Sequence, residues 1–106
     1  MIKKIKIAAN FWSRFRGLMF KNELPEDEAL LFLNCSRVHT FFMKFDICVI
    51  YLDKDFNVID YEVLKPWQIG SKVEGAKHLL EASSKVEPYI KDMTKLTIKV
   101  EGGYSE

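Results

Sequence analysis

Hydrophobic and polar positions along this chain alternate with the period of β-strands far more often than with that of helices. Ile5, Ile7 and Ala9 alternate with Lys4, Lys6 and Ala8, which predicts a strand over about residues 3 to 8 with one buried face. Ala29 to Leu33 is a short unbroken apolar run bounded by turn formers, so a buried strand is expected there. The longest apolar stretch runs from Val38 to Asp53 and reads as the middle of a sheet. It divides into a strand over 38–45 and another over Ile47 to Leu52 that is apolar on both faces. Alternation in the first places His39, Phe41, Met43 and Phe45 on one face, and Val38, Thr40, Phe42 and Lys44 on the other. Val58 to Leu64, where Ile59, Tyr61 and Val63 oppose Asp60 and Glu62, should return as the second arm of a hairpin across residues 53–57. Leu96, Ile98 and Val100 against Thr97, Lys99 and Glu101 predict a last strand, after which 102–106 should fray.

Helical signals are few. Asn10 can cap a helix in which Phe11, Phe15, Leu18 and Met19 form one stripe, predicting a helix over about 11–20 that lies on the sheet. Residues 86–93 allow a short turn of helix with Pro88 near its start, and 76–82 are helical by composition. Residues 23–28 form an acidic, proline-bearing surface loop. Residues 65–71 form another, whose Trp67 is expected to pack as a lid on the core more than to serve as a ligand platform. The fold class is mainly β (α+β).

Composition narrows the picture. The 106 residues fit one domain, 1–106, and 48% hydrophobic with 29% charged residues excludes disorder. Sixteen basic against fifteen acidic residues give a net charge of +1, which supplies no reason to expect nucleic acid or an anionic membrane as partner. No stretch has the length of a membrane span or of a signal peptide's apolar segment, so a cytoplasmic protein with no membrane association is expected. Cys35 and Cys48 are too far apart along extended backbone for a disulfide, and free thiols are expected.

Candidate chemistry gathers at Cys35, Arg37, His39 and Thr40. Cys35 with His39 has a spacing that suggests a thiolate–imidazole pair or a metal. On an extended strand, however, their Cα atoms would lie about 13 Å apart, too far to share a zinc ion, so no metal and no cofactor is expected. His39 is either a half-buried histidine bonded to a backbone carbonyl or a functional residue oriented by Asp46 or Glu81. No glycine-rich phosphate loop, Gly-x-Ser-x-Gly elbow, His-Glu-x-x-His or paired CxxC is present, which excludes most enzyme classes with a short signature.

Five ordered motifs carry a family resemblance: Arg16-Gly17-Leu18-Met19-Phe20, Ala29-Leu30-Leu31-Phe32, Val38-His39-Thr40-Phe41-Phe42-Met43 with the strand ending Tyr51-Leu52-Asp53, Lys65-Pro66-Trp67, and Gly75-Ala76 with Leu79-Leu80-Glu81. Together, over roughly residues 8 to 100, they resemble domain of unknown function 192, also called uncharacterised protein family 0127. The resemblance implies a compact jelly-roll-like sandwich or partly open barrel with one short N-terminal helix, a strand over 76–82, and no established activity. Where the family usually has Pro-Ile-Asp this chain has Asp46-Ile47-Cys48, so the usual acid at 48 is missing; the family's usual glycine in the hairpin turn is Phe56. A left-handed conformation would cost Phe56 about 1–2 kcal/mol, so a different turn is expected. The functional expectation is a non-catalytic binding or accessory module with a small cleft near the central strands, its candidate ligand-binding residues being Arg16, His39, Thr40, Met43, Asp46 and Trp67 and its partner an unknown small molecule or protein. The rivals are a hydrolase or transferase using His39 with Asp46, and an interaction subunit for a pilus or secretion-related partner.

Overall fold

The six residues of Ile47–Leu52 are all buried, and the rest of the sheet is arranged around that strand. The computed structural model describes residues 4–8, 27–90 and 100–105. Its strands are β1 (Lys4–Ala8), β2 (Glu28–Phe32), β3 (Ile47–Leu52), β4 (Val58–Leu64), β5 (His78–Ser83) and β6 (Val100–Ser105). They form one sheet in the order β4-β3-β5-β2-β1-β6. β4, β3, β5 and β2 pair antiparallel, while β1 runs parallel to both β2 and β6. A 3-10 turn (Ser84–Val86) leads into a one-turn helix, α1 (Glu87–Ile90).

β3 is apolar on both faces because both faces are covered. On one side Cys48, Ile50 and Leu52 pack with Ala29, Leu31, Leu80 and Ala82 beneath Val86 and Ile90. On the other, Ile47, Val49 and Tyr51 pack with Phe32 and Leu79 beneath Val38 and Met43. Each fully buried aliphatic side chain contributes about 1.5–3 kcal/mol. The second cover is made of irregular chain, residues 33–46 and 65–77, and those two loops carry the site.

The hairpin of β3 and β4 has the expected arms, with Cys48 opposite Val63 and Ile50 opposite Tyr61. β5 is a strand where composition favoured helix, because its Leu79, Leu80 and Ala82 lie fully buried between β3 and β2. Tertiary burial overrides propensity there.

Several expectations are corrected. Residues 38–45 are not a continuous strand: His39 makes a single bridge to Ile69, and the chain then turns as the Met43 N–H donates to the Thr40 carbonyl (3.1 Å). Their apolar character comes from covering the sheet instead of belonging to it. Phe56 does adopt a left-handed conformation (φ 66°). The turn is held from Asp53, whose carboxylate accepts the N–H groups of Asp55 and Asn57 (both 2.9 Å) and whose carbonyl accepts that of Phe56 (3.0 Å). Trp67 is not a lid on the core; it is 59% exposed. The last strand is Val100–Ser105, so the stretch expected to fray is paired with β1, from Ile5↔Val100 to Ala8↔Ser105. The predicted helix over 11–20, the short N-terminal helix of the fold reading, and residues 96–99 lie outside the described residues.

Candidate functional site

Thr40 is fully buried, yet its hydroxyl and backbone hold the two covering loops together. The hydroxyl donates to the Lys65 carbonyl (2.5 Å) and accepts the Gln68 N–H (2.8 Å). The Thr40 N–H donates to the Gln68 carbonyl (2.8 Å), and the Thr40 carbonyl accepts the Trp67 N–H (2.9 Å). Gln68 closes the 65–68 turn by accepting the Lys65 N–H at Oε1 (2.7 Å). Beside this, the Gly70 N–H donates to the Val38 carbonyl (2.8 Å), extending the seam past the His39 and Ile69 bridge. Each buried polar atom of Thr40 is thereby satisfied, as its burial requires.

The seam presents a row of aromatic rings. His39 stacks on Phe41 (centroids 4.6 Å, 29° between planes), and Phe41 stacks on Trp67 (5.7 Å, 26°). Phe42 tilts against Trp67 at 4.6 Å and 59°. Phe42 and Trp67 are 53% and 59% exposed, and neighbouring Ile69 is 62% exposed. Phe42 (φ 68°) and Trp67 (φ 65°) are both held left-handed, a conformation that costs a bulky residue about 1–2 kcal/mol. Strain kept at two adjoining exposed aromatics marks a tip whose shape is imposed by the seam below it.

Of the residues expected at the site, the structure brings His39, Thr40 and Trp67 into one seam. Met43 is buried beneath it, packed with Ile47 and Val49. Asp46 is exposed just before β3, with no hydrogen bond or ion pair to His39 among the described residues. The His39 Nδ1 accepts the Phe41 N–H (3.3 Å), which puts the ring proton of the neutral imidazole on Nε2. Glu81 is buried in β5, in register with Val49 and Leu30. Arg16 lies outside the described residues. Cys35 and Cys48 are free thiols. Burial, then the Glu87 carboxylate, pushes the Cys48 thiol up to about 12, which keeps it protonated near neutrality and so a poor nucleophile. Among the described residues no group of three or more His, Cys, Asp or Glu side chains converges as a metal site.

Sequence reading missed Phe42 as a surface residue, because an aromatic in an apolar run looks like core. It also missed a polar cluster at one flank of the seam. The Tyr51 hydroxyl donates to Glu62 Oε2 (2.5 Å), which also accepts the Ser71 N–H (2.7 Å), while the Ser71 hydroxyl donates to Oε1 (3.1 Å). Burial first, and then the bond to Glu62, pushes the Tyr51 hydroxyl well above its ordinary value. For Glu62, burial alone would raise the carboxyl, but the bonds from Tyr51 and Ser71 outweigh it and hold the group low. This cluster anchors residue 71 to β4 and so fixes the far end of the 65–71 loop.

The fold and the seam can be set beside known proteins. The family model described as "Uncharacterized ACR", DUF192, matches residues 2–97. The chain belongs to the DUF192 family. Among curated relatives in this family, the UPF0127 protein of Pyrococcus horikoshii is 37% identical over 95 residues, covering 83% of this chain and 79% of that one. Those of Thermococcus kodakarensis and Thermococcus sibiricus are 36% and 37% identical over 74% and 82% of this chain. The matched part spans 52% and 59% of their lengths, so they carry further sequence beyond it. A crystal structure of a protein of unknown function from Novosphingobium aromaticivorans matches with a TM-score of 0.68 at 16% identity, covering 86% of this chain and 70% of that one. That likeness concerns the DUF192 fold alone. The DUF192 chain is mainly β, four of its strands form an antiparallel sheet, and among the described residues no helix is long and apolar enough to cross a membrane.

Proposed function

We propose that this DUF192 chain is a binding or accessory module whose site is the aromatic tip formed by His39, Phe41, Phe42 and Trp67. One observation carries the reading: two exposed aromatics stand side by side in strained backbone, on loops locked together through a fully buried threonine. A surface built without use would not keep two such residues both strained and wet, since apolar side chains in water contribute nothing to stability. Because the loops are fixed beforehand, little ordering cost is left to binding. The pairing of His39 with Asp46 that a hydrolase or transferase needs has no contact to support it. The same reading takes 1–106 as one domain acting in the cytoplasm. Its finer form is a jelly-roll-like sandwich or partly open barrel, which the covering of both faces of β3 supports.

The test is a ligand-observed and protein-observed NMR screen with small aromatic, aliphatic and peptide fragments. The Trp67 indole signal is assigned by comparison with Trp67→Phe. Shifts clustered on residues 39–43 and 65–70, and lost in Trp67→Ala at nearly unchanged stability, are expected. Hits that cluster elsewhere, around exposed Ile59 or Tyr89 for example, would overturn the reading.

A further inference from the structure

We infer that Asp60 and Gln68 close the outer edge of β4 against a second copy of this chain, whose own β4 would otherwise pair there antiparallel about a two-fold axis. The inference stands apart from the aromatic tip. β4 is the first strand of the sheet, bonded to β3 on one side and to no other described strand. Which of its amides face outward follows from its neighbours. The Leu52 carbonyl accepts the Lys77 N–H on the β5 side (2.8 Å). Successive residues of a strand turn their N–H and C=O groups to opposite edges, so Ile50 and Cys48 also turn to β5. Their register partners in β4, Tyr61 and Val63, therefore turn away from β3. The same alternation brings Lys65 outward just past the end of the strand.

Both ends of this outward row are taken. The Tyr61 N–H donates to Oδ1 of its neighbour Asp60 (2.8 Å), and the Lys65 N–H donates to Gln68 Oε1 (2.7 Å). The Lys65 carbonyl is taken as well, by the Thr40 hydroxyl. Toward the turn, Leu52 pairs with Val58 but Tyr51 with Asp60, so Ile59 is an extra residue that throws the row out of step. Between this bulge and the 65–68 turn, Val63 alone keeps an outward N–H with no bond among the described residues. In a two-fold antiparallel pairing, Tyr61 of each copy would lie opposite Val63 of the other. The carbonyl oxygen meant for the Tyr61 N–H would then meet the Asp60 carboxylate oxygen already there, and this clash would occur on both sides of the axis. What is left to such a pair is too little to offset the freedom lost on association.

The first test uses the parent chain. Amide hydrogen exchange followed by NMR, corrected for intrinsic rates, should find Tyr61 about ten-fold or more slower than Val63, because of two outward amides only one is bonded. Equal rates would overturn the inference. The second test compares Asp60→Ala, which removes the acceptor, with Asp60→Asn, which removes the charge but keeps an acceptor oxygen. Each is made alone and with Gln68→Ala, and self-association is measured by sedimentation equilibrium at rising protein concentration. Asp60→Ala with Gln68→Ala is expected to self-associate at a concentration about ten-fold or more below that of the parent, with new exchange protection at Tyr61 and Val63. Asp60→Asn alone should behave as the parent does. Unchanged association of the alanine pair would overturn the inference. So would association of Asp60→Asn as ready as that of Asp60→Ala, which assigns the effect to charge, or protection gained at Phe42 and Trp67 in place of Tyr61 and Val63. Should the alanine pair fail to fold, Asp60→Ala alone, at an exposed position, carries the same comparison.

Discussion

Thr40 is the residue on which the geometry of the tip most depends, since four of its hydrogen bonds cross from one loop to the other. Thr40→Val keeps the shape but removes the hydroxyl, leaving the Gln68 N–H and the Lys65 carbonyl short of a partner in a partly buried place. The expected cost is about 1–3 kcal/mol in chemical denaturation, together with a changed Trp67 emission as the loops part. His39→Ala should cost distinctly less, because its ring is only half-buried. A comparable loss in both would return His39 to the core. Glu62 has a pH signature with a definite sign. Its folded value lies below the ordinary carboxylate value, so its stabilising contribution is complete above that value and is lost as pH falls through the folded one. Glu62→Gln should therefore flatten the acid limb of a plot of melting temperature against pH, leaving the residual slope that Asp53, lowered mainly by its bonds to Asn57, supplies in the same direction. An acid limb unchanged in Glu62→Gln would mean that the Tyr51 and Ser71 bonds do not persist in solution.

At the scale of elements, the 65–77 loop comes close to the sheet at Gly70. A Cβ built there would meet the Tyr51 hydroxyl oxygen at 2.8 Å and Val38 Cγ1 at 3.0 Å. Gly70→Ala must push the loop outward and should cost about 1–3 kcal/mol, the usual range for overpacking, while also weakening the bond between Tyr51 and Glu62. A melt indistinguishable from the parent chain would show the loop to be looser than this. The same elements show what the residues could and could not announce. β3 and β4 were legible because runs of opposite character, apolar on both faces and then alternating, meet across a turn. β5 needed the family resemblance, since Leu79, Leu80, Glu81 and Ala82 favour a helix on propensity and become a strand only through burial between two others. The 38–45 stretch misled because loop residues that cover a sheet are selected for the same apolar side chains as strands, and only the Thr40 turn distinguishes them. Within the site, His39, Thr40 and Trp67 were recognisable from motif residues; that Phe42 and Trp67 face water could not be read from chemistry that ordinarily points inward. The left-handed Phe56 was hidden for a related reason, its turn being held by the side chain of Asp53 instead of by a glycine.

In the whole molecule, protection should be greatest where both faces and both edges are occupied. Native-state hydrogen exchange should find the slowest amides in β3, which is hydrogen-bonded to β4 on one side and β5 on the other. Exchange from β3 as fast as from β4 would contradict the layered covering described here. A different consequence follows from β1, whose two neighbours come from very distant parts of the chain: β2 begins at Glu28, whereas β6 begins at Val100. During synthesis β1 and β2 leave the ribosome early, yet one side of β1 stays open until residues 100–105 have followed it. For that interval the nascent chain carries an unpaired strand edge, the template on which two copies of an unfinished protein can join, and a polysome crowded with such chains places those edges close together.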